Sequence, residues 1–203
     1  FQSDAEIQNY KNDRGELLQP NAKPGDIRFK DLNGDGVINS DDRDFKGNPL
    51  PDCSMGLTLG FNYKNFDVSA FFQGVFGNEV YNLTNYLGEF YNQAQYNKNS
   101  TILDAWRPDN TDTDIPRVTL DDPNNNIRPS TYYIHNASFV RLKNLKVGYT
   151  LPDKVASKLK LKRTYIYLQG QNLFTITGYE GLDPEVGLQS YSSENRHLDM
   201  GVD

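Results

Sequence analysis

Strict alternation between positions 55 and 76 constrains the fold more than any other feature of this sequence. Side chains on one face of the segments MGLTLGFNY and FDVSAFFQGVF are apolar: Met55, Leu57, Leu59, Phe61, Tyr63, Phe66, Val68, Ala70, Phe72 and Phe76. The opposite face of the first segment carries only Gly, Thr and Asn. A period of two predicts β-strands with one apolar face. The two-residue link Lys64 and Asn65 predicts a tight hairpin turn between them.

A second strand pair follows after residue 135. In ASFVRLKNLKVGYTL, Val140 and Leu142 share one phase, and the later apolar residues from Leu145 onward take the other. A phase slip of this kind predicts a β-bulge near Lys143 and Asn144. PDKVASKLKLKR is basic and resembles a short helical turn, and TYIYLQGQNLFTITG predicts the next strand.

The connections between these strands are unequal. Residues 77–134 lack sustained alternation, with some helix expected near 78–92, and residues 1–25 are expected to be irregular. There we expect a short helical turn with Asp4 as its cap, and the hexapeptide GDIRFK is strand-like. Tight turns alternating with long loops are typical of transmembrane β-barrels. A sandwich or soluble barrel would keep its connections more even.

Composition agrees with a barrel. Hydrophobic residues make up 36% and aromatics 12%, with a mean hydropathy of −0.72, so the apolar content is thin for a soluble core and is carried largely by rings. No apolar run approaches the roughly 18 to 20 residues of a membrane helix, whereas barrel strands need only about 9 to 11.

The net charge of −6 is concentrated in residues 31–44, and nothing suggests a nucleic-acid partner. The single Cys53, expected in a loop, cannot form an internal disulfide.

The segment DLNGDGVINSDD, residues 31–42 and called the acidic loop below, has the spacing of a calcium-binding loop. The pattern supplies oxygen ligands at positions 1, 3, 5, 7 and 12, with glycine at position 6. Here those ligands are Asp31, Asn33, Asp35, the carbonyl of Val37, and Asp42, with Gly36 at the turn. The last position holds Asp instead of the usual Glu.

Carboxylates this close together repel one another unless a cation neutralises them. Because no long amphipathic helix flanks the loop, we predict a structural Ca²⁺ and not a calcium switch. The alternative interpretation is an Asx-rich turn without an ion.

Aromatic residues in the loops are candidates for contact with sugar rings or with a partner protein: Tyr86, Phe90, Tyr91, Tyr96 and Trp106. Packing between long loops is the favoured alternative, because buried aromatics dominate packing energetics. Four polar strand residues could line a lumen: Gln73, Arg141, Gln169 and Gln171. We predict no enzyme, because His135 and His197 lack triad or metal spacing, and Asp121 and Asp122 are expected to be solvated loop charges.

Four segments in order closely resemble the C-terminal part of SusC/RagA-type outer-membrane transporters. They are KPGDIRFKDLNGDGVINSDDRDFKG, FFQGVFGNEVYN, SFVRLKNLKVGYTLP and QGQNLFTITGYEGLDPEV. The resemblance implies a TonB-dependent transporter of Bacteroidetes with an antiparallel transmembrane β-barrel of about 22 strands. It also implies an N-terminal plug, a SusD-like lipoprotein lid on the outer face, and import of oligosaccharides or peptides across the outer membrane.

On that reading the chain divides into five segments. They are an extracellular segment with the calcium loop at 1–54, a barrel hairpin at 55–76, a long extracellular loop at 77–134, a second hairpin at 135–175 with a short periplasmic turn at 152–163, and an extracellular loop at 176–203 leading to a last strand that is missing. Both ends look cut. The alternative is a soluble, calcium-stabilised β-rich module that binds glycans.

Overall fold

The computed structural model describes residues 1–89 and 97–185, in two compact units. One unit comprises residues 1–46, 81–89 and 97–134, and the other comprises residues 47–80 and 135–185. In the described part of the chain, every helix is too short or too polar to cross a membrane.

The second unit is built on a four-stranded antiparallel sheet. Its strands are β1 Cys53–Tyr63, β2 Phe66–Phe76, β5 Phe139–Thr150 and β6 Tyr165–Thr177, in the order β1-β2-β5-β6. Two shorter strands, β3 Glu79–Tyr81 and β4 Ile134–Asn136, pair with each other. The sheet is the antiparallel architecture that the alternation predicts, and Cys53 is the exposed first residue of β1, so its expected place in a loop was wrong.

The predicted turn and bulge are both present. Tyr63 pairs with Phe66 across Lys64 and Asn65, and Lys64 adopts a positive φ of 53° that a tight turn demands. Between β2 and β5 the register shifts where Leu142 and Asn144 pair with consecutive residues, which leaves Lys143 as the extra residue. The bulge therefore brings the two phases of β5 onto one face.

One face of the sheet is apolar along its whole length. Cross-strand rows on this face are Tyr63–Phe66–Tyr149–Ile166, Phe61–Val68–Val147–Leu168, Leu59–Ala70–Leu145–Gly170, Leu57–Phe72–Leu142–Phe174 and Met55–Gly74–Val140–Ile176. Many of these side chains are exposed, Leu168 at 79% and Phe61 at 64%. An apolar surface of this extent must be covered by an apolar environment, because soluble monomers rarely expose more than a few hundred Å² of contiguous apolar area.

The first unit has little regular structure. It contains α1 Asp4–Asn9, α2 Leu83–Glu89, and 3₁₀ turns at Ser40–Asp42, Ser100–Asp104 and Thr131–Tyr133. Helix α2 lies where helix was expected. The cap of α1 is Ser3 and not Asp4, because the Ser3 Oγ accepts the Glu6 N–H at 3.3 Å.

A network of buried polar side chains holds the first unit together. Asp26, Asn126, Asn124 and Gln19 are all at most 5% exposed. Asn126 Nδ2 donates to Asp26 Oδ1 at 2.9 Å, Asn124 Nδ2 donates to Asn126 Oδ1 at 2.7 Å, and Gln19 Nε2 donates to Asn124 Oδ1 at 2.8 Å. Arg117 Nη2 donates to Asp26 Oδ2 at 3.2 Å, and we call these five residues the polar network. It takes the place of an apolar core, which explains how so polar a segment can be ordered.

The polar network also explains why GDIRFK is not a strand. Ile27 N–H donates to Asn126 Oδ1 at 3.0 Å, and Phe29 N–H donates to Gln19 Oε1 at 2.8 Å. The backbone groups of Ile27 and Phe29 bond to side chains and not to a neighbouring strand, so the strand-like expectation was wrong.

Candidate functional site

The acidic loop folds around its own carboxylates. Asp31 accepts the N–H groups of Gly34 at 2.7 Å and Gly36 at 2.8 Å, one on each carboxylate oxygen. Asp42 accepts the N–H groups of Leu32 and Asn39 at 2.7 and 2.8 Å. Both ends of the loop are therefore drawn inward by residues predicted as ligands.

The middle of the loop is organised in the same way. Asp35 Oδ1 accepts the Val37 N–H at 2.8 Å, and Asn33 Oδ1 accepts the Asp35 N–H at 2.9 Å. Gly36 has a φ of +86°, the left-handed conformation that favours glycine at the sixth position of such a loop. From outside the loop, Asn12 Nδ2 donates to the Gly36 carbonyl at 3.3 Å.

Hydrogen bonds to the charged form lower the pKa of Asp42. The largest cause is the Asn39 N–H, and further causes are the N–H groups of Leu32 and Asn33 and a hydrogen bond shared with Asp31. The loop thus keeps this carboxylate ionised, which is the form that binds a cation.

The donor set fits Ca²⁺ in chemical type, since carboxylate, amide and carbonyl oxygens are its usual ligands. An ionised carboxylate has about four acceptor positions, so the N–H bonds leave capacity for a cation. Within residues 1–89 and 97–185, however, no cluster of three or more His, Cys, Asp or Glu side chains has a metal-binding arrangement. The aspartates of the loop are oriented by hydrogen bonds from the loop backbone.

The loop aromatics that can be placed are packed or bonded within the first unit. The ring of Tyr86 lies 5.3 Å from that of the fully buried Tyr133 and 6.4 Å from that of Tyr81. Trp106 Nε1 donates to Gln2 Oε1 at 2.7 Å. Phe90, Tyr91 and Tyr96 lie outside the described residues. Tyr86 is therefore in contact with two other rings of the first unit.

Residues considered for acid–base chemistry have other roles. Asp122 is 9% exposed and accepts the N–H groups of Asn126 and Ile127 at 2.8 and 3.0 Å, so its expected role as a solvated charge was wrong. His135 lies beside the ring of Tyr179, with centroids 6.3 Å apart. His197 lies outside the described residues.

The polar face of the sheet carries a cluster that the sequence did not reveal. Arg141, 4% exposed, donates to Asp183 Oδ1 at 2.5 Å and to Glu185 Oε2 at 2.8 Å. The bulge residue Lys143 donates to Glu185 Oε2 at 2.6 Å. We call these four residues the charge cluster. The only signal in the sequence is the acidic pair in GLDPEV, which gives no hint of its partners.

Gln73 and Arg141 are paired in register on this same face, as are Gln169 with Lys146 and Gln171 with Asn144. The sheet thus separates an apolar surface from a polar one across a single layer. A layer with these two faces suits a wall between hydrocarbon and water.

Comparison with known proteins agrees with this geometry. The TonB-dependent receptor P3 of Formosa agariphila is 38% identical over 92% of this chain, and the TonB-dependent receptor SusC of Bacteroides thetaiotaomicron is 33% identical over 84%. The chain spans only 18% and 16% of the length of these two relatives. No family model matches the chain.

Among solved structures, the RagAB peptide importer in its open-open state superposes with a TM-score of 0.61 at 32% identity, over 78% of this chain and 17% of the other. Its closed-closed state gives a TM-score of 0.60 at 33% identity, over 77% of this chain and 18% of the other. The fold and these similarities define the class: the chain is part of a TonB-dependent receptor. Within that class it belongs to the SusC/RagA family.

Proposed function

We propose that this chain forms part of the wall and outer loops of an outer-membrane transporter that imports oligosaccharides or peptides. The observation that carries the proposal is the four-stranded sheet, which has one continuous apolar face that is largely exposed and an opposite face that carries most of its polar side chains. Strands β1, β2, β5 and β6 contain 11 to 13 residues, enough to cross a bilayer when tilted.

The partners belong to the same proposal. Relatives include SusC and the RagAB peptide importer. We infer that the full-length transporter works with a SusD-like lipoprotein lid at its outer face and draws energy from the TonB complex. The similarity to the RagAB peptide importer supports peptides as one substrate class, and the family resemblance of the sequence implies oligosaccharides as the other.

An uptake experiment tests the function. Deleting the gene for the full-length transporter should abolish growth on one class of oligomer, either oligosaccharides or peptides, while growth on the corresponding monomers continues. Complementation with the intact gene should restore it. Unchanged growth of the deletion strain on both classes of oligomer would contradict the proposal.

We also propose that the acidic loop holds a structural Ca²⁺. Asp31, Asn33, Asp35, Asp42 and the Val37 carbonyl would hold the ion, whose positive charge would offset the repulsion between the carboxylates. The support is the ligand spacing and the inward folding of Asp31 and Asp42 onto the loop backbone. The soluble glycan-binding module, our alternative, has the same loop but gives no account of the exposed apolar face.

A further inference from the structure

The connection between β5 and β6 is strongly basic. Residues 152–164, called the basic connection below, contain one carboxylate and five cations: Asp153, Lys154, Lys158, Lys160, Lys162 and Arg163. All five cations are exposed. Within the part of the chain that the structure describes, none of them has an ion pair or a side-chain hydrogen bond. The basic connection therefore presents an unneutralised charge.

Apolar side chains are interspersed with these cations. Val155 is 45% exposed, Leu159 59% and Leu161 47%. Lysine and arginine next to exposed aliphatic residues are typical of segments that lie in the interfacial layer of a membrane, with apolar groups toward the acyl chains and cations toward the headgroups.

The basic connection is folded and anchored. It contains α3 Asp153–Lys158, and the carbonyl of the fully buried Ala156 accepts the N–H groups of Leu159 and Leu161 at 3.0 and 2.9 Å. At its base, Leu151 N–H donates to the Thr164 carbonyl at 2.9 Å. The cations are thus held on a short, ordered scaffold.

The adjoining end of the sheet has the composition of a membrane interface. Its apolar face ends in the row Tyr63–Phe66–Tyr149–Ile166, with the ring centroids of Phe66 and Tyr149 4.5 Å apart. Aromatic rings are enriched where hydrocarbon meets headgroups. The basic connection therefore directly follows this aromatic row.

We propose that the basic connection is a binding surface for anionic phospholipids in the membrane leaflet at the tight-turn end of the sheet. Clusters of four to eight Lys and Arg beside a membrane-embedded segment recognise anionic headgroups. The inference rests on the membrane location proposed above. It adds a lipid partner that the transport function alone does not require.

Native mass spectrometry of the full-length transporter in detergent tests the inference, with phosphatidylglycerol and phosphatidylcholine as the two probes. The intact protein should retain phosphatidylglycerol in preference to phosphatidylcholine, and NaCl should weaken the binding. The variant K158Q/K160Q/K162Q/R163Q should bind phosphatidylglycerol at least tenfold more weakly, because each exposed cation contributes about a fivefold factor near an anionic surface.

Two further variants control for charge and folding. The variant K11Q/R14Q/K23Q/K30Q removes the same number of charges from exposed residues of the first unit and should bind phosphatidylglycerol as the intact protein does. The variant K158R/K160R/K162R keeps the charge and should also keep the binding.

Three outcomes would overturn the inference: equal binding by K158Q/K160Q/K162Q/R163Q and the intact protein, equal loss in both glutamine variants, or full displacement of the lipid by inorganic phosphate.

Fractionation of cells comes first and separates the two proposals. Absence of the transporter from the outer-membrane fraction would contradict the proposed function, whereas a correctly located protein indifferent to phosphatidylglycerol would contradict only the lipid surface.

Discussion

Asn126 joins parts of the chain that lie one hundred positions apart. Its side chain is fully buried, donates to Asp26 Oδ1 and accepts the Ile27 N–H and an Asn124 N–H. Asp26 is paired a second time with Arg117, whose Nη2 donates to Asp26 Oδ2 at 3.2 Å and whose Nε lies 2.6 Å from Oδ1 as an ion pair. The side-chain amide of Asn126 thus links loops of the first unit that are distant in sequence.

Replacing Asn126 should therefore destabilise the first unit. In Asn126→Ala, buried donors and an acceptor lose their partner, at a cost of about 1–3 kcal/mol for each unsatisfied group. Thermal unfolding of the full-length transporter, or hydrogen exchange of residues 19–29, should report the loss. The control Asn62→Ala alters an exposed asparagine whose side chain has no hydrogen bond among the described residues, and it should leave both measurements unchanged. Equal stability of the two variants would contradict the role of Asn126.

Removing a carboxylate from the acidic loop should weaken calcium binding. In Asp31→Asn we expect an affinity at least about tenfold lower, because affinity at oxygen sites depends on the number of charged ligands. Calorimetric titration of the full-length transporter with Ca²⁺ measures it. The control Asp44→Asn changes an exposed acid outside the loop, paired with Lys46 at 2.9 Å, and should bind as the intact protein does. If Asp31→Asn also binds unchanged, the calcium proposal fails.

At the scale of the element, consecutive residues of β1 alternate between the apolar and the polar face of the sheet. Leu59 lies at mid-strand opposite Ala70 on the apolar face, and Thr58 lies opposite Phe71 on the other face. An arginine at the bilayer midplane of a barrel wall costs about 2–4 kcal/mol. Leu59→Arg should therefore reduce the amount of folded protein in the outer membrane, as measured by semi-native electrophoresis of membrane fractions.

Thr58→Arg is the matched control, because it places the same side chain one residue away on the polar face. It should assemble at close to the normal level. Equal assembly of both variants would show that the apolar face does not contact lipid.

The charge cluster should make the segment after β6 sensitive to acid. Burial alone would raise the pKa of Asp183, but hydrogen bonds from Arg141 and the Glu185 N–H, with the charge of Lys143, bring it below its usual value. The pKa of Asp183 is lower in the folded state than in the unfolded state. The cluster therefore contributes its full stability to the folded state above the unfolded pKa of about 3.9, and this contribution is lost as the pH falls below that value.

Hydrogen exchange of residues 178–185, corrected for the intrinsic pH dependence, should therefore show less protection at pH 3 than at pH 5. Asp183→Asn should remove most of that difference. Protection that stays the same at both pH values in the intact protein would contradict the role of the cluster.

The local alternation of apolar and polar residues was enough to predict the strands and their turn. Elements whose structure depends on partners distant in the sequence were missed. Alternation was sufficient to place the hairpin turn at Lys64 and the bulge at Lys143. The segment GDIRFK was misjudged because its backbone bonds to Gln19 and Asn126, which no local pattern can indicate. Asp122 and the charge cluster were missed for the same reason, since their roles depend on how loops fold back.

At the scale of the whole molecule, the sheet has two edges, β1 and β6, and all eleven residues of β1 are exposed. Unpaired strand edges and an apolar face both promote association in water. Expressed alone without detergent, this chain should aggregate, and detergent should reduce the aggregation. Size-exclusion chromatography with light scattering measures it. A soluble glycan-binding module would instead elute as a monomer near 23 kDa in buffer.

Strands β2 and β5 are neighbours in the sheet although residues 77–138 separate them in the chain. Joining such strands costs loop-closure entropy that grows slowly, by about 0.6 kcal/mol for each doubling of loop length. The intervening segment can therefore lengthen or change in sequence during evolution with little penalty to the strand pairing. In the proposed transporter, a long connection of this kind lets binding specificity change while the paired strands keep their register.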